Sequence, residues 1–547
     1  MKYTPRVRPR GGRTLAEGAV WSKVNSETLD RATALALAGV RLRRRFVPIA
    51  SASPSALSPV AAQRMTTDPV QPMNTSMLSV GAARWLVALS LCATACDADE
   101  DAAFDAEAAF AAVGTDMDAF IAANRIPGAS LAIVHDGTIT TRGFGTRVAG
   151  DTNLPVTSDT FFHLFSITKG MTATALMSLV DRGELDLRAP VADAYPAFRL
   201  KNTPVAPVTT HHLLTHTSGL PDDTPLSNPS WSLCETSIAD HWAAMEHTQW
   251  LETGRAHIYS NEGYNLAGAL LEAVGGAPYP ELMRTLVFEP LGMDDIAFDN
   301  ATVAARAHAV PHFREDDGSA SPQSLDIHGC PFEAPSMGAM ATAATVAKFA
   351  QFLMEGDPMV VSDATRKTMM EPLAATLERP DSFYGYGLEV RTYKGLDVVF
   401  HSGRGLGTIA MMATVPARKF AVVTLYNVED ADSSEIAFKA IDHYLAPKGV
   451  EPPADWTTDP ATWGEYAGNW TSDGLLDGTT IEVLAAEKLL RARVFNGAIE
   501  VDLHQVANDH FAGEFPLAGE VSVIFLRDAV GTVTHVLSRA GVAVKAR

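Results

Sequence analysis

The order of the predicted secondary-structure elements is the feature that most constrains this chain. Apolar residues at helical spacing predict a helix over Phe104–Ala123. Two strands are predicted next, Ala129–Val134 and Thr138–Phe144, joined by a tight Asp136-Gly137 turn. Residues of about 200–350 then favour helices, with frequent proline and glycine. A strand pair followed by a helical region is typical of a sheet that is completed further along the chain.

A second group of strands supplies that completion. Strands are predicted over Val398–His401, Ile409–Val415 and Phe420–Tyr426, followed by a helix over Glu435–Tyr444. Strands from both ends of the segment can share one antiparallel sheet, with the helices inserted between them. The pattern therefore predicts an α+β fold: an antiparallel sheet flanked by helices, with an inserted helical subdomain.

The proline-rich stretch 446–453 predicts a linker, and the hydrophobic pattern of the chain changes after it. Short alternating runs separated by turn signals predict a small, closed or nearly closed β-barrel. The runs are Thr480–Leu484, Leu489–Phe495, Ile499–Val506, His510–Phe515, Val521–Phe525 and Thr532–Leu537. The predicted organisation is an upstream segment with a signal peptide over 1–96, a catalytic domain over 97–449 and a barrel domain over 456–547.

The first 96 residues differ in charge from the rest of the chain. They carry 13 Lys+Arg and 4 Asp+Glu, which leaves 30 basic and 60 acidic residues after Cys96. An acidic body argues against a nucleic-acid partner. Residues 1–72 are interpreted as disordered or untranslated sequence rather than a binding arm. After Met73, a single Arg84, an apolar run and small residues up to Cys96 are typical of a secretion signal.

Cys96 leaves two possibilities open. The preceding Ala93-Thr94-Ala95 is similar to a lipobox, so Cys96 could become a lipidated N-terminus, and the alternative is cleavage after Ala95 with free secretion. Either way, we expect an exported protein of the periplasm or cell envelope, and the first alternative would anchor it to the membrane as a lipoprotein. Cys234 and Cys330 could pair in such a compartment or remain two free thiols. The oligomeric state does not follow from the sequence.

Ser166-Ile167-Thr168-Lys169, just ahead of an apolar helical run, is the strongest chemical signal. Residues at i and i+3 are neighbours on a helix, so the Lys169 amine can take the proton of the Ser166 hydroxyl. The positive end of the helix favours developing negative charge at the same point. Alone, such a pair arises about once by chance in a chain of this length.

Three further segments follow in order: Leu213–Leu220 (LLTHTSGL), Tyr259-Ser260-Asn261 and His401-Ser402-Gly403. With Ser166-x-x-Lys169, they resemble the serine β-lactamase and penicillin-binding-protein superfamily, in its class C β-lactamase-like branch of esterases, D-aminopeptidases and carboxypeptidases. The resemblance covers residues of about 105–445. Segment 463–470 (WGEYAGNW) likewise resembles the start of the lipocalin-like domain found in several members of this branch.

The resemblance implies a role for each motif residue. Ser166 would be the nucleophile, and Lys169 and Tyr259 would share the proton transfers, since a phenol and an amine have similar ordinary pKa values near about 10. Asn261 would hold the lysine and a substrate carbonyl. The strand with Gly403 would line the cleft, and the backbone N–H groups of Ser166 and Arg404 would form the oxyanion hole.

His401 departs from the β-lactamase pattern, because many members carry a lysine there that helps bind a substrate carboxylate. Histidine is at most partly charged at neutral pH. The resemblance then implies a serine hydrolase that acts, through an acyl-enzyme, on small esters or D-amino-acid-type amides and peptides. The alternatives are a D-alanyl-D-alanine carboxypeptidase or β-lactamase, and a non-catalytic surface lipoprotein, which the intact motif set disfavours.

Metal and cofactor chemistry is not expected. His211, His212 and His216 lie close in sequence, yet no acidic residue completes a metal-ligand pattern such as H-E-x-x-H. Structural hydrogen bonding is the expected role of these three histidines. The expected partner is therefore a small-molecule ester or peptide substrate, with no metal and no organic cofactor.

Overall fold

The fold is described from a computed structural model of the chain. It describes residues 104–202, 204–222, 237–244, 248–315, 317–325, 330–376, 381–449, 458–472, 476–495, 497–515, 519–538 and 541–546. The predictions made for residues 1–103, namely the upstream segment, the signal peptide and the lipidation of Cys96, lie outside this range. So does the predicted junction at 450–455, and the domain boundaries stay predictions.

The helices of the described chain lie mostly between the two groups of strands. In chain order they are α1 (Ala106–Ala123), α2 (Thr168–Asp181), α3 (Val191–Ala194), α4 (Thr210–Leu214), α5 (Ile238–Ala244), α6 (Asn261–Gly275), α7 (Tyr279–Met283), α8 (Asn300–Ala304), α9 (Ala334–Met337), α10 (Ala343–Glu355), α11 (Asp363–Met369) and α12 (Ser434–Leu445). Their placement matches the predicted insertion of a helical region into a sheet.

The strands of the first part build one large sheet and two small ones. They are β1 (Gly128–His135), β2 (Thr138–Gly145), β3 (Phe162–His163), β4 (Ile296–Ala297), β5 (His312–Arg314), β6 (Ala320–Pro322), β7 (Met340–Ala341), β8 (Ala374–Ala375), β9 (Ser382–Tyr384), β10 (Glu389–Tyr393), β11 (Leu396–Gly405), β12 (Thr408–Val415) and β13 (Phe420–Tyr426). The large sheet has the order β2-β1-β13-β12-β11-β10-β9-β8. Neighbouring strands in it are antiparallel, and the pairing of β1 with β13 joins the two predicted strand groups.

Helices cover both faces of this sheet. Every residue of β12 and β13 is buried, which explains why these strands read as continuous apolar runs rather than alternating ones. On one face the core joins the sheet to α2, α6 and α10, and on the other it joins the sheet to α1 and α12. The first face carries the helix that begins just after Ser166.

The C-terminal part is a closed eight-stranded barrel in the order β14 to β21. Its strands are β14 (Gly468–Thr471), β15 (Thr479–Leu484), β16 (Leu489–Val494), β17 (Ile499–Ala507), β18 (His510–Phe515), β19 (Gly519–Arg527), β20 (Val533–Ser538) and β21 (Gly541–Lys545). Aromatic side chains, among them Trp463, Trp470, Phe511 and Phe525, fill its interior.

The predicted α+β class with a small C-terminal barrel is confirmed. The Asp136-Gly137 hairpin is present. Both residues have positive φ angles, 47° and 78°, as a two-residue hairpin turn of type I′ requires. The short edge strands β8, β9 and β10 and the last barrel strand β21 were not predicted. Among the described residues, no helix is both long and apolar enough to cross a membrane. Cys330 is disulfide-bonded, whereas Cys234 lies outside the described residues.

Candidate active site

Ser166 lies in a 3-10 turn, Phe165–Ile167, immediately ahead of α2. The preceding Phe165 has φ of 46°, a left-handed conformation that strains a residue with a large side chain by roughly 1–2 kcal/mol. The turn is held by the backbone N–H of Phe165, which donates to Nδ1 of His163 at 3.2 Å. The result is a sharp corner that presents a partly exposed Ser166 at the positive end of α2.

Lys169, one turn into α2, is fully buried. Its Nζ donates to three oxygen atoms: Oγ of Ser166 at 3.1 Å, Oδ1 of Asn261 at 2.6 Å and the backbone carbonyl of Ser336 at 2.8 Å. An ammonium group has three N–H donors, so these partners satisfy it completely. Burial of the amine is therefore compensated by hydrogen bonds directed at the serine.

Tyr259 approaches Ser166 from the other side. Its hydroxyl donates to Oγ of Ser166 at 2.6 Å, and the Lys169 Nζ lies 4.7 Å from the centroid of its ring. The ring packs against His216, with centroids 4.3 Å apart. The structure thus brings the predicted serine, lysine and tyrosine within hydrogen-bonding contact, although 93 positions separate Ser166 from Tyr259.

Asn261 begins α6 directly after the tyrosine. Ser260 caps this helix by accepting from the N–H of Gly263 at 2.9 Å, which is a common use of serine at a helix start. The backbone N–H of Asn261 donates to Oδ1 of Asp222 at 2.9 Å. With its main chain fixed in this way, the Asn261 amide oxygen accepts from Lys169 and orients the amine.

Strand β11 passes close to the serine turn because it carries glycines there. A Cβ on Gly403 would lie 2.0 Å from the carbonyl oxygen of Leu164, and one on Gly405 would lie 1.9 Å from the Phe165 ring. Any larger residue at either position would push the strand away. The backbone of Arg404, between these glycines, therefore lies beside the turn that carries Ser166.

His401 is buried on β11, and its ring nitrogens have partners other than the serine. Nδ1 donates to the carbonyl of Ser402 at 2.6 Å, and Nε2 accepts from the hydroxyl of Tyr384 at 2.8 Å. Burial raises the pKa of Tyr384 well above its ordinary value, so the phenol keeps its proton. This pairing suits a neutral imidazole, whose ring centroid lies 6.5 Å from that of Tyr259.

The Arg404 side chain does not join this group. Its guanidinium donates to the backbone carbonyls of Glu429 at 2.6 Å and Ala431 at 2.9 Å, on the loop after β13. The guanidinium is thereby anchored to the protein main chain. Of the predicted residues, then, Ser166, Lys169, Tyr259 and Asn261 meet through side chains, while Gly403 and Arg404 approach the serine turn through the backbone.

The three neighbouring histidines have separate partners. Nδ1 of His211 lies 2.9 Å from the hydroxyl of Tyr386, and Nδ1 of His212 lies 2.8 Å from Oγ1 of Thr209. Burial lowers the pKa of His211 to about 4, which keeps it neutral at physiological pH. In the described part of the chain, no cluster of three or more His, Cys, Asp or Glu residues is placed to hold a metal.

Sequence reasoning missed three parts of this site. The Ser336 carbonyl that accepts from Lys169 is a main-chain atom, and its residue type gives no signal. Tyr384 belongs to none of the motifs named from the sequence, and its contact with His401 depends on how β9, β10 and β11 pair. The contact between the rings of His216 and Tyr259 follows from the tertiary fold, although both residues lie in recognised motifs.

Known proteins with similar sequences include a penicillin-binding protein and an esterase. Penicillin-binding protein 4 of Amycolatopsis lactamdurans is 29% identical over 323 residues, which cover 57% of this chain and 83% of that protein. Esterase EstB of Burkholderia gladioli is 34% identical over 238 residues, which cover 40% of this chain and 58% of that protein. This chain is therefore similar both to a penicillin-binding protein and to an esterase.

Solved structures with the same fold cover about four fifths of this chain. The crystal structure of SurE matches with a TM-score of 0.64 at 22% identity and covers 80% of this chain and 99% of that one. The octameric penicillin-binding protein homologue from Pyrococcus abyssi matches with a TM-score of 0.56 at 24% identity, covering 80% and 100%. At these identities the likeness concerns the fold alone.

The profile of the beta-lactamase family matches residues 112–446. This range is more than half of the 547 residues, and it contains Ser166, Lys169, Tyr259, Asn261 and His401. The resemblance inferred from the sequence is confirmed: the chain belongs to the beta-lactamase family, whose members are serine hydrolases.

Proposed function

We propose that this protein is a serine hydrolase that acts, through an acyl-enzyme on Ser166, on small esters or D-amino-acid-type amides and peptides. The observation that carries the proposal is the position of Ser166 Oγ between two proton-transfer groups, 3.1 Å from Lys169 Nζ and 2.6 Å from the Tyr259 hydroxyl. Ser166 and Tyr259 are both partly exposed, so a substrate can reach them.

The surroundings of Lys169 support its role in removing the serine proton. Oδ1 of Asn261 and the Ser336 carbonyl are acceptors only, so each occupies one N–H of the amine. When the amine is neutral, it has two N–H groups, and a lone pair takes the place of the third N–H, the one that the ammonium form donates to Ser166. With both N–H groups engaged, the lone pair is left facing the hydroxyl of Ser166, which is the arrangement that a general base needs.

The reaction then follows in two acyl transfers. Ser166 Oγ attacks the substrate carbonyl carbon and gives its proton to the Lys169–Tyr259 pair, while the carbonyl oxygen becomes an oxyanion. Backbone N–H groups of Ser166 and Arg404 stabilise this charge. The intermediate collapses, the leaving alcohol or amine takes the proton through Tyr259, and water later releases the acid and restores Ser166.

The neutral surroundings of His401 favour neutral substrates. Tyr384 stays protonated beside it, and the Arg404 guanidinium is bound to main-chain carbonyls. This part of the site offers hydrogen bonds rather than a fixed positive charge for a substrate carboxylate. The 34% identity to an esterase agrees with this choice.

A substrate panel tests the proposal. The full chain is assayed with short acyl esters, D-aminoacyl amides, a D-alanyl-D-alanine peptide and a chromogenic cephalosporin, with Ser166→Ala as the reference. We expect turnover of esters or D-aminoacyl amides that Ser166→Ala reduces by at least about 10³-fold. Turnover of the cephalosporin or of a D-alanyl-D-alanine peptide alone would favour the cell-wall alternative, and equal rates for Ser166→Ala would refute the mechanism.

A further inference from the structure

The chain segment that leads into Tyr259 lies against the C-terminal barrel. Leu251 and Ile258 from this segment and Leu537 and Val542 from the barrel form one buried apolar cluster, here called the seam cluster. Leu537 is on β20 and Val542 on β21. The barrel therefore contacts the catalytic part through the stretch of chain that precedes the proposed catalytic phenol.

Further contacts lie beside the seam cluster. A Cβ added to Gly541 would lie 3.7 Å from the Trp250 ring, so the ring rests close to the start of β21. The guanidinium of Arg255 donates to the backbone carbonyl of Arg527 at 3.5 Å. Several side chains along residues 250–258 are thus in contact with the barrel.

The opposite side of the same segment is hydrogen-bonded to the motif around His216. The N–H of Gly254 donates to the carbonyl of Thr217 at 2.7 Å, and the N–H of Ile258 donates to the carbonyl of His216 at 2.7 Å. The N–H of Ser260 donates to Nδ1 of His216 at 3.0 Å. The segment is therefore held between the catalytic part and the barrel.

Residues 248–260, all of which the structure describes, include no helix or strand. Their conformation must come from contacts on the two sides rather than from regular backbone hydrogen bonding. Ile258 and Tyr259 are adjacent, and they face different neighbours: Ile258 is in the seam cluster, whereas the Tyr259 hydroxyl donates to Ser166. A shift of Ile258 towards a void in the seam would move the phenol with it.

We propose that Leu537 and Val542 of the barrel are positioning residues, which fix the phenol of Tyr259 against Ser166 by packing on Ile258. This inference rests on the proposed role of Tyr259 in proton transfer. A catalytic group displaced by about 1 Å can lose about 10²-fold in rate. Because main-chain hydrogen bonds to His216 remain when one seam side chain is shortened, we expect a smaller loss, about 10-fold.

The test is a double-mutant cycle on the full chain, read out as the burst rate of acylation with a short chromogenic ester. We expect Leu537→Ala to lower the acylation rate about 10-fold in the wild-type background. In a Tyr259→Phe background the same change should alter the rate less than about twofold, because the phenol hydroxyl is already absent. The conservative Leu537→Met, which keeps the volume, should retain the rate within about twofold.

Leu503→Ala is the matched control. Leu503 is buried inside the barrel and belongs to a different cluster, so its truncation should lower the melting temperature without changing acylation by more than about twofold. If Leu537→Ala does not fold, Val542→Ala takes its place in both backgrounds, with the same expected pattern and a smaller loss.

The outcomes separate the two proposals. A wild-type rate for folded Leu537→Ala and Val542→Ala, or an equal loss in both backgrounds, would overturn the positioning role of the barrel while leaving the catalytic proposal intact. An unchanged rate for Tyr259→Phe alone would instead refute the role of the phenol in the proposed function.

Discussion

The two parts of the molecule bury polar groups differently. In the α+β part, the amine of Lys169 is fully buried and reaches three oxygen atoms. In the barrel, rings such as Trp470 occupy the interior, while charged residues pair on the outer surface, as Arg491 does with Asp502 at 2.6 Å. One interior is organised around a buried, hydrogen-bonded amine, and the other around packed aromatic rings.

This difference indicates what each interior contributes. Burying an amine is unfavourable unless hydrogen bonds replace its water, so a buried lysine beside a serine is a feature of chemistry rather than of packing. Burying an aromatic ring stabilises the fold by contact alone. Substitutions in the site should therefore lower activity more than stability, and substitutions inside the barrel should do the reverse, with the seam cluster as the exception.

Removal of the buried amine should give the largest effect. Lys169→Met keeps the length of the side chain but leaves no base beside Ser166, so kcat/KM for the best ester should fall about 10³–10⁴-fold. Lys439→Met is the matched control, because Lys439 is partly exposed and pairs with Glu435 at 2.8 Å on a helix surface, and it should change kcat/KM less than twofold. A loss below about tenfold for Lys169→Met would contradict the assigned role.

Truncation of a large barrel ring should affect stability first. Trp470→Ala should lower the free energy of unfolding by about 3–5 kcal/mol and leave kcat within about twofold while the protein remains folded. Phe349→Ala is the counterpart in the α+β part, since the Phe349 ring lies against α2, the helix that follows Ser166, 3.4 Å from a Cβ added to Gly170. Phe349→Ala should lower both the free energy of unfolding and kcat. Denaturant unfolding measures the stability of the two variants, and ester turnover measures their kcat. An equal loss of kcat in both variants would contradict the proposed difference between the two interiors.

Close approach of β11 to the serine turn gives the next prediction. Gly403→Ala places a Cβ 2.0 Å from the Leu164 carbonyl oxygen, so the strand or the turn must shift, and kcat/KM should fall roughly 10²-fold. Gly464→Ala, near the barrel, meets nothing within 4 Å and should be neutral. A Gly403→Ala enzyme with wild-type kcat/KM would show that β11 does not set the position of Ser166.

The smallest effect is a pH dependence in the barrel. Burial lowers the pKa of His510 to about 4, below the ordinary value of about 6.5. The unfolded chain thus binds a proton at higher pH than the folded chain, so stability is complete above about pH 6.5 and is lost as the pH falls towards 4. At pH 5 the free energy of unfolding is lower than at neutral pH by about 2 kcal/mol from this group.

Substitution of the imidazole tests this directly. The glutamine of His510→Gln cannot take up the proton. Between pH 7.5 and 5, the free energy of unfolding of the variant should therefore fall less than that of the wild type, and the two falls should differ by roughly 2 kcal/mol. Denaturant titrations at the two pH values measure the difference. Parallel loss of stability in both proteins would show that His510 is not the group concerned.

The sequence predicted those turns and strands whose conformation is set by residues close together in the chain. Asp136-Gly137 predicted a turn because few residue types accept positive φ at both positions, and the turn is there. The apolar runs of β12 and β13 predicted strands, because they are buried on both faces. The closing barrel strand Gly541–Lys545 was missed, since it has only five residues and its Val-Ala-Val run shows no alternation of apolar and polar residues.

Only those parts of the site that consist of side chains in sequence motifs could be predicted. Ser166, Lys169, Tyr259 and Asn261 were named from ordered motifs, and the structure brings them together. The carbonyl of Ser336 could not be named, because main-chain atoms carry no residue signature. The seam cluster depends on the barrel meeting the segment that contains Ile258, which no local pattern encodes.

The central claim is that Ser166 carries the acyl group during turnover, and mass spectrometry of the quenched reaction tests it most directly. The full chain is mixed with a slowly hydrolysed acyl ester, quenched in acid within the burst, digested and mapped. We predict the acyl mass on the peptide that contains Ser166, and its loss in Ser166→Ala. An acyl group on another residue, or undiminished turnover by Ser166→Ala with no acylated peptide, would contradict the account.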